Sequence, residues 1–176
     1  MRSWALLGGI LLVAVIVSGL LTSPRPETVA GDRLGPEAGE SIPAYTARAA
    51  TTLATTLADG PGDPRWALVS LDTPITVEQA LATAYGVRIS QILFRAPTPD
   101  AMLVVLAVPD NADAVRRASG FAAQTDPAIT PDCPCVAALL VRAYLPALRE
   151  VATRPGVTAV EALLADAVYG RFAVTP

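Results

Sequence analysis

The proline at position 146 constrains the fold of this chain more than any other residue. Without it, VAALLVRAYLPALREVA, residues 136–152, would read as one long apolar helix. A proline inside a helix removes a backbone donor and clashes with the preceding turn, at a cost of about 3 kcal/mol, whereas in a first turn it costs almost nothing. The segment therefore divides into a strand, Val136 to Ala143, and a helix that begins near Leu145. That helix ends at Thr153-Arg154-Pro155-Gly156, and Val157 to Leu163 (VTAVEAL) follows as a final strand.

Upstream, the same signals recur. Ser41 is placed to cap a helix with Pro43 in its first turn, and Tyr45, Ala49, Leu53 and Leu57 recur every four residues until GPGDP ends the run. This predicts an amphipathic helix over residues 44–60. Trp66 to Leu71 (WALVSL) is a short apolar run closed by Thr73-Pro74, and Thr76 then caps a helix that Gly86 stops. Val87 to Phe94 (VRISQILF) starts with a period of two, and Ala101 to Val108 (AMLVVLAV) is continuously apolar, the pattern of a central strand buried on both faces. Asp110 to Ala123 reads as a helix capped by Asp110, with Ala114, Val115, Ala118 and Phe121 as its apolar positions.

The break at Pro146 exposes an internal echo. ALVSL, proline, helix, Gly-Val, strand is matched by AALLV, proline, helix, Gly-Val, strand, so that Pro74 corresponds to Pro146 and Gly86-Val87 to Gly156-Val157. Two βαβ-like halves joined through a hairpin strand and a helix predict an α+β, two-layer ferredoxin-like sandwich over residues 61–165, with a C-terminal tail over 166–176. The phrase RPGVTAV resembles the helix-to-strand joint of several such domains, including small regulatory domains and protease propeptides.

Trp4 to Leu21, WALLGGILLVAVIVSGLL, is an uncharged run of about 18 residues, close to the ~20 needed to cross a bilayer core. It predicts a single transmembrane anchor within residues 1–22. Arginine counts on the two sides are nearly balanced, but the very short N-terminus favours a cytoplasmic N-terminus and an extracytoplasmic C-terminal domain at the cell membrane. The alternative is a signal peptide cleaved near Val17-Ser18-Gly19; Leu20 stands where a bacterial lipoprotein would carry its lipidated cysteine, which excludes a lipid anchor there. Residues 23–43, with four prolines and three glycines, read as an extended linker.

The anchor, LGPEAGES (Leu34 to Ser41), WALVSLDTPITVEQA (Trp66 to Ala80) and DCPCV (Asp132 to Val136) together carry a likeness to a known group. The chain resembles the uncharacterised single-pass membrane proteins of high-GC Gram-positive bacteria, of actinobacterial type. The resemblance implies no activity and transfers no catalytic residue.

Composition narrows the chemistry. All 13 basic residues are arginine and histidine is absent, so no Ser-His-Asp or Cys-His pair and no imidazole metal ligand exists. With a net charge of −3, and arginines scattered among acids, no basic face for nucleic acid is expected. The two cysteines, Cys133 and Cys135, leave four readings open: a local disulfide or inert brace, a thiol-exchange pair, a linear Cu(I) site, or pairing with another chain. Asp110 and Asp113 at a helix start are read as caps, with metal binding as the alternative, and Arg116-Arg117 as solvated charges on a helix, with a polar partner or a phospholipid head group as the alternative. Trp66, Tyr85, Phe94 and Phe121 are expected in the core. No catalytic, cofactor-binding or metal residue emerges. The expected role is a membrane-anchored binding or scaffolding protein of the cell envelope, in contact with membrane lipid through its anchor and with an envelope protein partner. The alternatives are a thiol redox or copper-handling protein using Cys133 and Cys135, and a protease-inhibitor-like module.

Overall fold

The computed structural model describes residues 33–54 and 62–175. The elements in chain order are β1 (Arg33–Leu34), α1 (Ile42–Ala54), β2 (Arg65–Ile75), α2 (Val77–Thr83), β3 (Arg88–Arg95), β4 (Leu103–Ala107), α3 (Ala112–Thr125), β5 (Val136–Ala143), α4 (Leu145–Ala152), β6 (Val157–Ala162) and β7 (Ala173–Val174). This is a mixed α+β architecture. Five strands form one sheet in the order β4-β3-β5-β2-β6, and β1 pairs with β7 in a separate parallel ribbon.

Every neighbour in the five-stranded sheet is antiparallel. The break at Pro146 falls where the sequence places it: β5 ends at Ala143 and Pro146 sits in the first turn of α4. Freed from the helix, β5 pairs with β2 through Val69↔Leu139 and Ala67↔Val141, and with β3 through Ile92↔Leu139 and Ile89↔Val141. It follows that β2 and β3 run the same way on either side of β5. By the same geometry β5 and β6 run the same way on either side of β2.

Local chemistry sets the helix ends. Ser41 Oγ accepts from Ala44 N at 3.4 Å, and Tyr45, Ala49 and Leu53 form the buried stripe of α1. Thr76 and Gln79 make a reciprocal capping box at the start of α2, which satisfies two donors that a bare helix end leaves open. Gly86 and Gly156 both adopt φ near +80°, a conformation costly for any residue with a Cβ, and each turns the chain from a helix into the next strand.

The sheet is covered on two sides. On one, Val69, Ile92, Phe94, Leu139 and Val141 pack with Val115, Leu148 and Val151 from the helices. On the other, Trp66, Leu68, Leu93 and Leu140 pack with Leu34 and Leu163, and with Phe172 and Val174 of the C-terminal segment. Trp66 lies 4.9 Å from the Tyr169 ring and 6.0 Å from Phe172, with the Arg142 guanidinium 5.3 Å from its ring centre. Helix α1 lies along β6, where Thr52 Oγ1 accepts from Ala162 N at 2.9 Å.

Several expectations are corrected. Ala101 to Val108 is not a central strand: β4 is an edge strand, with Val105 43% exposed. Its apolar text reflects Val104 and Leu106 packing into the main core and Leu103 packing on the opposite face, while β5 and β2 hold the interior. The cap of α3 is Asn111, whose side chain accepts from Ala114 N at 2.6 Å, while Asp110 instead faces Arg88 at 3.6 Å. Tyr85 and Phe121 are exposed, whereas Trp66 and Phe94 are buried. In α3 the small residues Ala118, Ser119 and Ala122 make the closest approach, leaving Phe121 on the far side. Strand β2 continues past Thr73-Pro74 to Ile75, with its register broken between Ser70 and Ile75. Residues 33–43 are not an extended linker: Gly35 is bonded to Glu161 of β6, and the tail contributes β7, which pairs with β1. The expected anchor, the first part of the linker and Leu57 lie outside the described residues. Among the described residues no helix is long and apolar enough to cross a membrane.

Gly35 tests how the chain ends are held. Its φ is +107°, and a Cβ there would overlap the carbonyl of Thr175, whose N–H donates to Leu34 O at 2.8 Å. Gly35→Ala is expected to lower stability by about 1–3 kcal/mol and to loosen β1 from β7. Gly39→Ala, at φ +82° but facing open space, serves as the comparison with strain alone. Urea unfolding of both variants, with hydrogen exchange of the residue 173–175 amides, provides the check.

Candidate functional site

Two features converge at one end of the face opposite α2–α4: a knot of charges and an open cleft. The knot centres on Glu161, a β6 residue only 3% exposed. Its Oε2 accepts from Gly35 N at 2.6 Å and its Oε1 accepts from Arg48 Nη1 of α1. Arg48 also donates through Nε and Nη2 to the Glu40 carboxylate, at 3.0 and 2.9 Å, and through Nη2 to Gly35 O at 2.9 Å. One guanidinium thus ties the segment before α1, α1 itself and β6 together. Buried charge is tolerated only when paired and hydrogen-bonded in this way.

The environment moves these groups apart. The Arg48 hydrogen bonds and the Glu37 N–H hold Glu40 down to about 2. Burial pushes Glu161 above its usual range, against the opposing pull of Gly35 N–H and Arg48. Arg48 is raised, chiefly by its bonds to Glu40. Tyr45 is raised by burial, so its phenol keeps its proton near neutrality.

The cleft, of about 440 Å³, opens beside this knot. Pro36 and Ile42 form one wall because the knot fixes the segment that carries them. Ser70 and Ala138, paired across β2 and β5, form the floor together with Ala137. Tyr45 reaches over this floor, its hydroxyl 2.9 Å from Ser70 Oγ. The register break in β2 turns Leu71, Asp72 and Pro74 into the second wall, braced by the Asp72 N–H bond to Gly156 O at 3.0 Å. Arg95, at the end of β3, stands on the rim and makes no side-chain hydrogen bond or ion pair among the described residues. The cleft therefore presents apolar walls, a hydroxyl pair and one charge of each sign.

Cys133 and Cys135 are joined by a disulfide in the loop before β5. Cys135 is fully buried in the main core, and its carbonyl accepts from Arg95 N at 2.7 Å. The bond thus braces the entry to β5 and borders Arg95, but neither cysteine lines the cleft. The acidic and basic residues singled out from sequence lie elsewhere. Arg116 bonds Glu78 of α2 at 2.7 Å and Asp113 at 3.2 Å, an exposed bridge between two helices of the kind worth roughly 0–1 kcal/mol. Among the described residues no group of three or more potential ligands from His, Cys, Asp and Glu could hold a metal ion.

Tyr45, Ser70, Arg95, Arg48 and Glu161 were not singled out as site residues from sequence. Arg48 and Glu161 are 113 positions apart, so no local spacing marks them as partners. The one available signal was Glu161 itself, an acid at an inward position of an otherwise apolar strand.

The pH dependence follows from the knot. Glu40, lowered to about 2, contributes stability that is present above its unfolded pKa near 4.5 and lost as pH falls toward 2. Glu161, raised, contributes stability that is present below 4.5 and lost as pH climbs through its folded value. Glu40→Gln should flatten the acid limb of a Tm-against-pH curve, and Glu161→Gln the limb above 4.5. For the cysteines, a three-residue ring removes little unfolded-chain entropy, so Cys133→Ala/Cys135→Ala should cost less than the ~3 kcal/mol of a 15-residue loop. The double serine variant should cost more than the double alanine, because a hydroxyl at the buried Cys135 site needs a partner. Urea denaturation of the pair measures that difference.

No protein-family model matches the chain, and neither a curated protein nor a solved structure matches it.

Proposed function

We propose that the chain is a membrane-anchored, extracytoplasmic binding or scaffolding protein of the cell envelope, and that the cleft beside Tyr45 is where it holds its partner. The cleft carries this reading: its apolar walls and its two charges of opposite sign suit the capture of an amphipathic group. Placement outside the cytoplasm is supported by the Cys133–Cys135 disulfide, since cytosolic thiols are kept reduced, and by the uncharged run Trp4 to Leu21. The resemblance to single-pass membrane proteins of high-GC Gram-positive bacteria points the same way.

The finer fold assignment belongs to the same proposal. In a ferredoxin-like reading, β2-α2-β3 and β5-α4-β6 are the two βαβ halves, each with the first strand of the other lying between its own two strands, and β4 with α3 is the connection between them. The matched glycines Gly86 and Gly156 support it. The prolines match less closely, because Pro74 lies before α2 whereas Pro146 lies inside α4.

A photo-crosslinking residue at Ile42, an exposed side chain on the cleft wall, tests the function in membranes of the source cell. The expected result is a discrete adduct from position 42 and none from position 121, with the chain in the membrane fraction and digestible by protease added outside. A chain recovered from the cytosol with free thiols, or equal labelling from both positions, would overturn the proposal.

A further inference from the structure

The two edges of the five-stranded sheet are treated differently. Along β6 the edge is occupied by α1, with Thr52 accepting the Ala162 N–H. Along β4 no element of the described chain pairs with the outer side. The orientation of the open groups follows from two bonds. Arg95 N donates to Cys135 O toward β5, and Ser90 O accepts from Val108 N toward β4. Odd-numbered residues of β3 therefore turn their backbone toward β5 and even-numbered ones toward β4. The partners of the even-numbered residues, Val104 and Leu106, face β3, so Leu103, Val105 and Ala107 turn their N–H and C=O groups away from the sheet. Among the described residues no backbone bond outside the sheet ladder reaches them.

Edges left open in monomers are usually blunted by a charge, a proline, a bulge or a covering element. LVVLA has none of these: it carries no charge, and its pairing with β3 is continuous from Leu103 to Ala107. Met102 and Val105 beside it are 76% and 43% exposed.

We propose that β4 is a homodimer interface, in which two copies pair antiparallel, edge to edge, with Val105 on the two-fold axis, making one ten-stranded sheet. The segment is complementary to itself in that register. Val105 meets its counterpart as a hydrogen-bonded pair, and Leu103 meets Ala107 of the second copy, so that all three outward donors and acceptors find partners. A two-fold axis also leaves each cleft on its own copy, so the dimer does not depend on what the cleft holds.

The test uses the full chain purified in detergent, with the protein mass in the particle measured over a concentration series. The wild type is expected at twice 18.2 kDa. Val105→Lys places two like charges on the axis and should raise the dimer dissociation constant at least about tenfold, equivalent to ~1.4 kcal/mol. Val105→Pro removes an N–H that the monomer does not use and should do the same while leaving the circular dichroism unchanged. If the proline variant unfolds, the lysine variant decides. Val105→Cys should form an interchain disulfide on mild oxidation, because Cα atoms in a hydrogen-bonded antiparallel pair lie about 5.5 Å apart. Phe121→Cys, on the exposed side of α3, should form none. A monomer at every concentration, or a dimer indifferent to Val105→Lys, overturns the proposal, the latter placing the contact elsewhere in the chain.

Discussion

The rest of this structure depends on β5 being hydrogen-bonded on both sides. Its residues Leu139, Leu140 and Val141 are all fully buried and paired to both β2 and β3, which lie well before it in the sequence. Helices make the connections: α2 links its two neighbours, β2 and β3, to each other, and α4 links β5 itself to β6 at the sheet edge. A strand at this position has to end before Pro146, and α4 has to begin there, so one residue with no N–H fixes where the central strand hands over to the helix that covers it. Had residues 136–152 stayed helical, β2 and β3 would have had no common partner.

The second dependence is electrostatic. Glu161 is buried because β6 is flanked by β2 on one side and α1 on the other, and the cost of that burial is offset by Arg48 and the Gly35 N–H. The same contacts position Pro36 and Ile42, so the charge knot and the cleft form a single construction: it fastens the segment before α1 onto the sheet and leaves an open cleft beside it. The disulfide acts at the other end of that surface, bracing the residues just before β5 next to Arg95.

What could be read from sequence was what local chemistry decides. Ser41, Thr76 and Gly86 mark their helix ends because capping and positive φ are properties of a few adjacent residues. The failures have one cause. Whether AMLVVLAV lies at the centre or edge of a sheet depends on strand order, which its own residues do not encode, and an edge strand whose side chains pack on both faces reads as apolar as a central one. Asp110 and Asn111 are adjacent and both able to cap, and Asp110 is drawn to Arg88. Residues 33–43 have a linker's composition, yet Glu161, more than 100 positions away, holds them. The cleft was invisible for the same reason, since its walls come from α1, β2, β3 and β5 together.

Amide hydrogen exchange, followed residue by residue in the full chain under native conditions, measures the central role of β5 most directly. The slowest amides should be those of Leu139, Leu140 and Val141, exchanging only with global unfolding, while α1 and the β1–β7 ribbon open first. Exchange at Leu139–Val141 as fast as in α1 would contradict the account, because a strand bonded on both sides and buried on both faces has no local route to solvent.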